Sequence, residues 1–175
     1  NNIISRWDKI HRIEREKIIH DSRHKSRICG FLAGDGNILM NGRYWLRLFP
    51  DNESLISPLL DSFSKVYDKK LTIKDHGKFY TLSLHSKVVC EDLINYCKFG
   101  TYCWNMPFNL FESDKDVSEW LKSFFDAEAY VNLNSKCIKV SSVNQNGMNE
   151  IKNVLKRKFK IDSVIYSYVP KNVNH

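Results

Sequence analysis

Two acidic residues close the same kind of run, half a chain apart. At Ile28-Cys29-Gly30-Phe31-Leu32-Ala33-Gly34-Asp35-Gly36 an apolar, small-residue stretch ends in Asp35. At Leu121-Lys122-Ser123-Phe124-Phe125-Asp126-Ala127-Glu128-Ala129 a similar stretch ends in Glu128. The acids lie 93 positions apart in a chain of 175 residues. Read as helices, the runs place Gly30 and Gly34 on one face, i and i+4, and Ser123 and Ala127 on the matching face. Small residues at that spacing let two helix backbones approach closely. Phe31, Leu32, Phe124 and Phe125 then point into two flanking cores. Such a pair brings Asp35 and Glu128 to one end. That end is the helix C-terminus, where the macrodipole disfavours a carboxylate. Either acid alone reads as the end of an ordinary amphipathic helix. The matched pair breaks a local rule twice, which marks function. Two close carboxylates repel unless protonated or neutralised, and oxygen-only ligation suits a hard ion such as Mg²⁺.

The elements around these runs repeat as well. After Gly36 the pattern changes to period 2: Asn37, Leu39 and Asn41 alternate with Ile38 and Met40. Asn41-Gly42 predicts a two-residue hairpin turn. Arg43, Trp45 and Arg47 then alternate with Tyr44, Leu46 and Leu48, the second set facing the core. A helix is expected from Asp51 to about Tyr67, with Pro58 imposing a late start or a kink. A second hairpin runs from Leu71 to His85 around Asp75-His76-Gly77-Lys78, followed by a helix from about Ser86 to Lys98. Residues 28–98 thus read αββαββα. The aromatic, irregular stretch 99–113 joins a second unit. That unit has a helix Asp114 to Glu128, a hairpin around Asn134-Ser135, a helix Met148 to Phe159 and a strand Ile161 to Val169. Residues 3–21 read as a charged helix, either a packing appendage or an extra basic contact.

The two acid-ended runs resemble the motifs of the LAGLIDADG homing endonucleases. Cys29 to Asn37 looks like the motif in its Gly-Asp-Gly form, and Trp120 to Ala129 looks like its Asp-Ala-Glu form. The resemblance implies an α+β fold of two pseudo-symmetric αββαββ(α) repeats. The motif helices pack at the centre, and two antiparallel sheets form a saddle over DNA. It implies the extents 1–24 for an N-terminal helical extension, 25–99 for the first repeat, 100–113 for the connection and 114–175 for a second repeat that is shorter at its C-terminus. It implies catalysis by Asp35 and Glu128, which bind Mg²⁺ (or Mn²⁺) with Gly34 and Ala127 beside them. The implied activity is site-specific, double-strand, metal-dependent hydrolysis of DNA at a long near-palindromic target, by an intron-encoded monomer with internal two-fold pseudo-symmetry. Ser123 and Ala129 stand where the family commonly has Gly. The family often has Lys or Gln near the end of each repeat's second strand; this chain offers Pro50-Asp51 and Ser142-Val143-Asn144 there.

A two-stranded ribbon can enter the DNA major groove, where base edges carry a unique code. The solvent-facing alternates expected to meet DNA are Asn37, Arg43, Trp45 and Arg47 in the first unit. In the second they are Tyr130, Asn132, Lys136, Lys139 and Ser141. Lys74, His76 and Lys78 cluster at a hairpin tip. The net charge of +7 and pI of about 9.1 favour an anionic partner, nucleic acid first. The five cysteines are odd in number and form no Cys-x-x-Cys pair, which reads as reduced and intracellular, in cytoplasm, nucleoid or organelle, with no zinc site. No run approaches a membrane span, so no membrane partner is expected. Two other readings stay open. One is a cleavage-deficient binding protein on the same scaffold, an intron maturase or regulator. The other is an unrelated basic α/β RNA-binding domain.

Overall fold

The first helix ends at Glu16, sooner than its charge pattern suggests. In the computed structural model, which describes residues 5–167, α1 spans Arg6–Glu16 and is capped by the Ser5 side chain. It rests on the body through Arg15–Glu91 (2.8 Å) and Lys69–Glu14 (2.9 Å) ion pairs. Its apolar Trp7, Ile10 and Ile13 face solvent. The single charged helix expected over 3–21 is therefore shorter: Lys17 to Asp21 is non-helical, and residues 1–4 lie outside the described residues. Asp21 then caps a new helix, α2 (Ser22–Asp35), by accepting from the His24 N–H.

Both motif runs are helices that end on their acids. α2 closes on Asp35, and α5 (Asp114–Glu128) closes on Glu128. At the start of α5 the Asp116 carboxylate accepts from the Ser113 N–H at 2.8 Å, a reciprocal cap that fixes the helix start. Each motif helix leads into a hairpin and then another helix. The first set is β1 (Gly36–Leu39), β2 (Trp45–Leu48) and α3 (Ile56–Tyr67). The second is β5 (Ala129–Asn132), β6 (Cys137–Val140) and α6 (Gln145–Phe159). Both following helices end on a left-handed residue, Asp68 at φ 49° and Lys160 at φ 59°. The first unit continues with β3 (Thr72–Asp75), β4 (Tyr80–His85) and α4 (Lys87–Ile94). Its antiparallel sheet has the order β1-β2-β4-β3.

Two expectations need correction, and one resolves between its alternatives. The Asn41-Gly42 pair does not make a two-residue turn. Leu39 pairs with Trp45, so residues 40–44 form a five-residue loop with Gly42 at φ 78°. A two-residue turn would place Ile38 opposite Trp45 and away from the core. The longer loop sets Ile38 against Leu46 instead, so burial decides the register. The α3 region starts late, as Pro58 suggested: Glu53–Leu55 is a 3₁₀ turn and α3 begins at Ile56. The strand expected at Ile161 to Val169 is absent over 161–167, and 168–169 lie outside the described residues. In the first unit the strand after the helix, β3, pairs only with β4. Among the described residues the second unit has no counterpart of β4, so 161–167 finds no ladder. The second sheet is accordingly the two strands β5 and β6.

One core joins both units. Ile28, Phe31 and Leu32 of α2 continue through Leu46, Leu48 and Leu82 of the sheet into Phe63 of α3. On the other side Trp104, Trp120 and Phe124 pack with Ile151 and Val154. Trp120 and Phe124 stack at 5.1 Å, and Trp104 tilts against Phe124 at 4.8 Å. The connection between units is thus packed through Trp104. Within the first unit Lys25 is fully buried. It pairs with Asp92 at 2.8 Å, and the Tyr67 hydroxyl also donates to Asp92 at 2.8 Å. A buried ammonium needs that compensation.

Candidate active site

The site is built by how closely α2 and α5 approach. A side-chain carbon added at Gly30 would land on the Trp120 carbonyl oxygen and lie 3.1 Å from Ser123 Cβ. One added at Gly34 would lie 2.7 Å from Ala127 Cβ and 2.9 Å from Glu128 Cγ. Backbones this near require small residues at the crossing. Ser123 fits because its hydroxyl donates to the Arg27 carbonyl across the interface at 2.7 Å. Further from the acids, Glu119 of α5 accepts from both Arg23 and Arg27 of α2, each at 2.7 Å. The polar contacts stand at one end of the crossing and the free acids at the other.

Asp35 and Glu128 are both half-buried at that end. Glu128 reaches over Gly34, next to Asp35. Burial raises the pKa of each carboxyl above its ordinary value. The Asp35 charge raises Glu128 further, and the Asp51 charge raises Asp35. Among the described residues neither acid has a cationic partner. The β1–β2 hairpin is locked to this end, since the Phe49 N–H donates to the Asp35 carbonyl at 2.9 Å and the Tyr80 N–H to the Pro50 carbonyl at 2.7 Å. That is why Asp51 sits within electrostatic range.

A pair of desolvated, unneutralised carboxylates fits a hard divalent cation. Among the described residues no group of three or more His, Cys, Asp or Glu side chains gathers to hold a metal. The donor set is therefore open. Such ions are commonly held by one or two carboxylates, waters and substrate phosphates. Gly34 and Ala127 stand one residue before each acid and adjoin each other across the crossing.

The register assigns the outward face of the first sheet, opposite its core side. Asn37, Arg47, Trp45 and Lys74 share it, together with Thr72, Thr81, Ser83 and His85. Arg43 lies exposed in the 40–44 loop, and His76 and Lys78 lie exposed at the β3–β4 turn. His76 stacks on Phe79 at 4.6 Å and pairs with the Thr81 hydroxyl at 3.0 Å. On the second sheet Tyr130 pairs with Lys139 and Asn132 with Cys137, on one face. Ser141 follows β6, exposed, while Lys136 lies in the turn at φ 50°. On the opposite face Val140, at the helix end, packs against the core, while Val131 and Ile138 further out are 65% and 64% exposed.

Sequence reasoning missed His85, which pairs with Trp45 across the ladder and stacks on it at 4.9 Å. The signal was present: Tyr80, Leu82 and Leu84 alternate inward, which turns Thr81, Ser83 and His85 outward. Among the described residues no helix is long and apolar enough to cross a membrane.

A family model described as "LAGLIDADG-like domain" matches residues 115–175. No curated protein matches the sequence significantly. Solved structures do. I-DmoI in complex with DNA and Mn superposes with a TM-score of 0.58 at 17% identity, over 77% of this chain and 77% of that one. The homing endonuclease I-WcaI bound to its DNA recognition sequence gives 0.59 at 13% identity, over 95% and 80%. The N-terminal LAGLIDADG domain of DUF199/WhiA gives 0.60 at 13% identity, also over 95% and 80%. Residues 115–175 thus match a LAGLIDADG-like domain model, and the chain shares its fold with these structures over most of its length.

Proposed function

We propose that the chain is a site-specific double-strand DNA endonuclease of the homing type, an intracellular, intron-encoded monomer that uses Mg²⁺ or Mn²⁺. The observation that carries this reading is the placement of Asp35 and Glu128. They are half-buried, without a cationic partner among the described residues, and adjacent at the crossing of two matched helices. I-DmoI and I-WcaI, which share the fold, were seen on DNA, one of them with Mn. The net charge of +7 suits a polyanion.

In this reading the outward sheet faces lie along the major groove on either side of the pseudo-two-fold axis. Exposed Arg43, Lys78, Lys136 and Lys139 position the duplex through phosphates, and the other strand side chains meet base edges. Asp35 and Glu128 then sit opposite two phosphates near the centre of a near-palindromic target. They would hold divalent ions there, with Gly34 and Ala127 close by. Bound ions supply charge neutralisation at the phosphate and a water acidic enough to attack near neutral pH. The acids themselves stay ionised in that state. The close α2–α5 packing fixes their separation, so both strands are cut in one engagement.

A second reading is favoured by Asp51. It places an acid near Asp35 where the family often has Lys or Gln. With the likeness to the WhiA domain, this supports a DNA- or RNA-binding protein that has lost cutting. The test is incubation of a randomised duplex library with the protein and Mg²⁺, with sequencing of the ends. Discrete, recurrent double-strand breaks support the endonuclease. Enriched bound sequences without breaks support the second reading.

A further inference from the structure

The two hairpins can be compared position by position, because each starts directly after its motif helix. Gly36 opposite Leu48 corresponds to Ala129 opposite Val140. The next pair outward is Asn37 with Arg47 in the first sheet, and Tyr130 with Lys139 in the second. Arg47 and Lys139 are therefore symmetry counterparts, each on the second rung from its acid.

Their surroundings differ. The Arg47 Nε donates to Asn37 Oδ1 at 3.1 Å. Its guanidinium carbon lies 4.3 Å from the Trp45 ring centroid and 5.7 Å from that of Phe49. Trp45 is itself stacked on His85. The guanidinium is thus fixed in tilt and position, and its two terminal nitrogens have no hydrogen-bond partner among the described residues. Arg47 stands on β2, an inner strand of four, away from the loops that would reach phosphates. Lys139 has no side-chain partner among the described residues, is exposed, and sits on a sheet of two strands. Two-stranded ribbons are marginal by themselves, and an ammonium on a flexible stem is a point donor.

We propose that Arg47 is a pre-set reader of guanine, and that the two halves of the DNA target are therefore read with unequal stringency. This rests on the DNA-binding reading above. A free, planar pair of terminal N–H groups matches guanine O6 and N7. A fork already held by Asn37 and Trp45 loses little freedom on binding. Asn37 serves here as the brace for Arg47. Lys139 contributes attraction to the backbone with little base discrimination.

The experiment is enrichment of bound duplexes from a randomised pool, without divalent metal so that binding is read apart from cutting. The proteins are the parent, Arg47→Lys, Arg47→Ala, Asn37→Ala and Lys139→Ala. The parent should fix one G·C pair in one half-site and leave the symmetric position degenerate. Both Arg47 variants should lose that preference roughly 10- to 100-fold with other positions unchanged, and Asn37→Ala should lose part of it. Lys139→Ala should keep the consensus while binding weakens evenly, with a salt slope shallower by about one. Retention of the guanine by Arg47→Ala, or equal stringency at both positions in the parent, overturns the inference and leaves DNA binding standing. No enrichment by the parent refutes DNA binding and the inference with it.

Discussion

Replacing Gly30 by Ala should destabilise the protein even though alanine is the better helix former. In an exposed helix the change would add about 1 kcal/mol of stability. Here the new methyl falls on the Trp120 carbonyl oxygen and within 3.1 Å of both Ser123 Cβ and the Trp120 carbonyl carbon. These are backbone or backbone-anchored atoms, so relief requires α2 and α5 to part. Overpacking of this kind costs about 1–3 kcal/mol, and the upper end applies where no side chain can yield. Parting also stretches the Ser123 hydroxyl to Arg27 carbonyl bond, now 2.7 Å, a loss of about 1 kcal/mol. The net is a loss of about 3 kcal/mol. For a chain of this size that lowers Tm by about 6–12 °C. Urea melts of the two proteins should show a lower midpoint at unchanged slope. A Gly30→Ala protein as stable as the parent, or more so by the ~1 kcal/mol expected from propensity, would refute the close crossing and with it the geometry of the acid pair.

Glu119→Gln removes the carboxylate shared by Arg23 and Arg27, and thermal melts at neutral pH should show a loss of about 2 kcal/mol. Burial raises the Glu119 pKa but the two arginines outweigh it and hold the group below its ordinary value. Its stabilisation is therefore present above the unfolded pKa and lost as pH falls through the folded one, so parent and variant should converge in acid. Asp35 and Glu128 behave oppositely. Both are raised, so their contribution to stability is fullest below the unfolded carboxylate pKa and falls away as pH rises through the folded one. Without metal at neutral pH, Asp35→Asn and Glu128→Gln should therefore melt above the parent. Added Mg²⁺ should raise the parent's Tm and not that of the double variant. Saturation at a hundred times the dissociation constant is worth about 2.7 kcal/mol. A Gly34→Ala protein, whose methyl would crowd Ala127 and Glu128, should lose more of this metal response than of its folding stability.

The acid pair was legible because it depends on local pattern. Small residues at i and i+4 followed by an acid specify both the helix face and its end. The α5 limits could also be read, since Ser113 and Asp116 encode the cap locally. The first hairpin was less legible. Asn41-Gly42 favours a tight turn, but pairing Ile38 with Leu46 under the core overrides it. The Asn37 brace on Arg47 and the His85 stack on Trp45 follow from that register and from β4 joining β2, facts that no local window contains. The strand expected from Ile161 illustrates the same limit. Its alternation is suitable, but a strand forms only beside a partner, and 161–167 has none among the described residues.

The central claim is that Asp35 and Glu128 form one cutting site on bound DNA. Its most direct test compares the parent with Asp35→Asn and Glu128→Gln on one duplex recovered from the library, measuring cleavage with Mg²⁺ and binding without it. Both variants should bind within a few-fold of the parent, and either change should slow double-strand cutting at least about 100-fold. Cutting at the parental rate by either variant would contradict it.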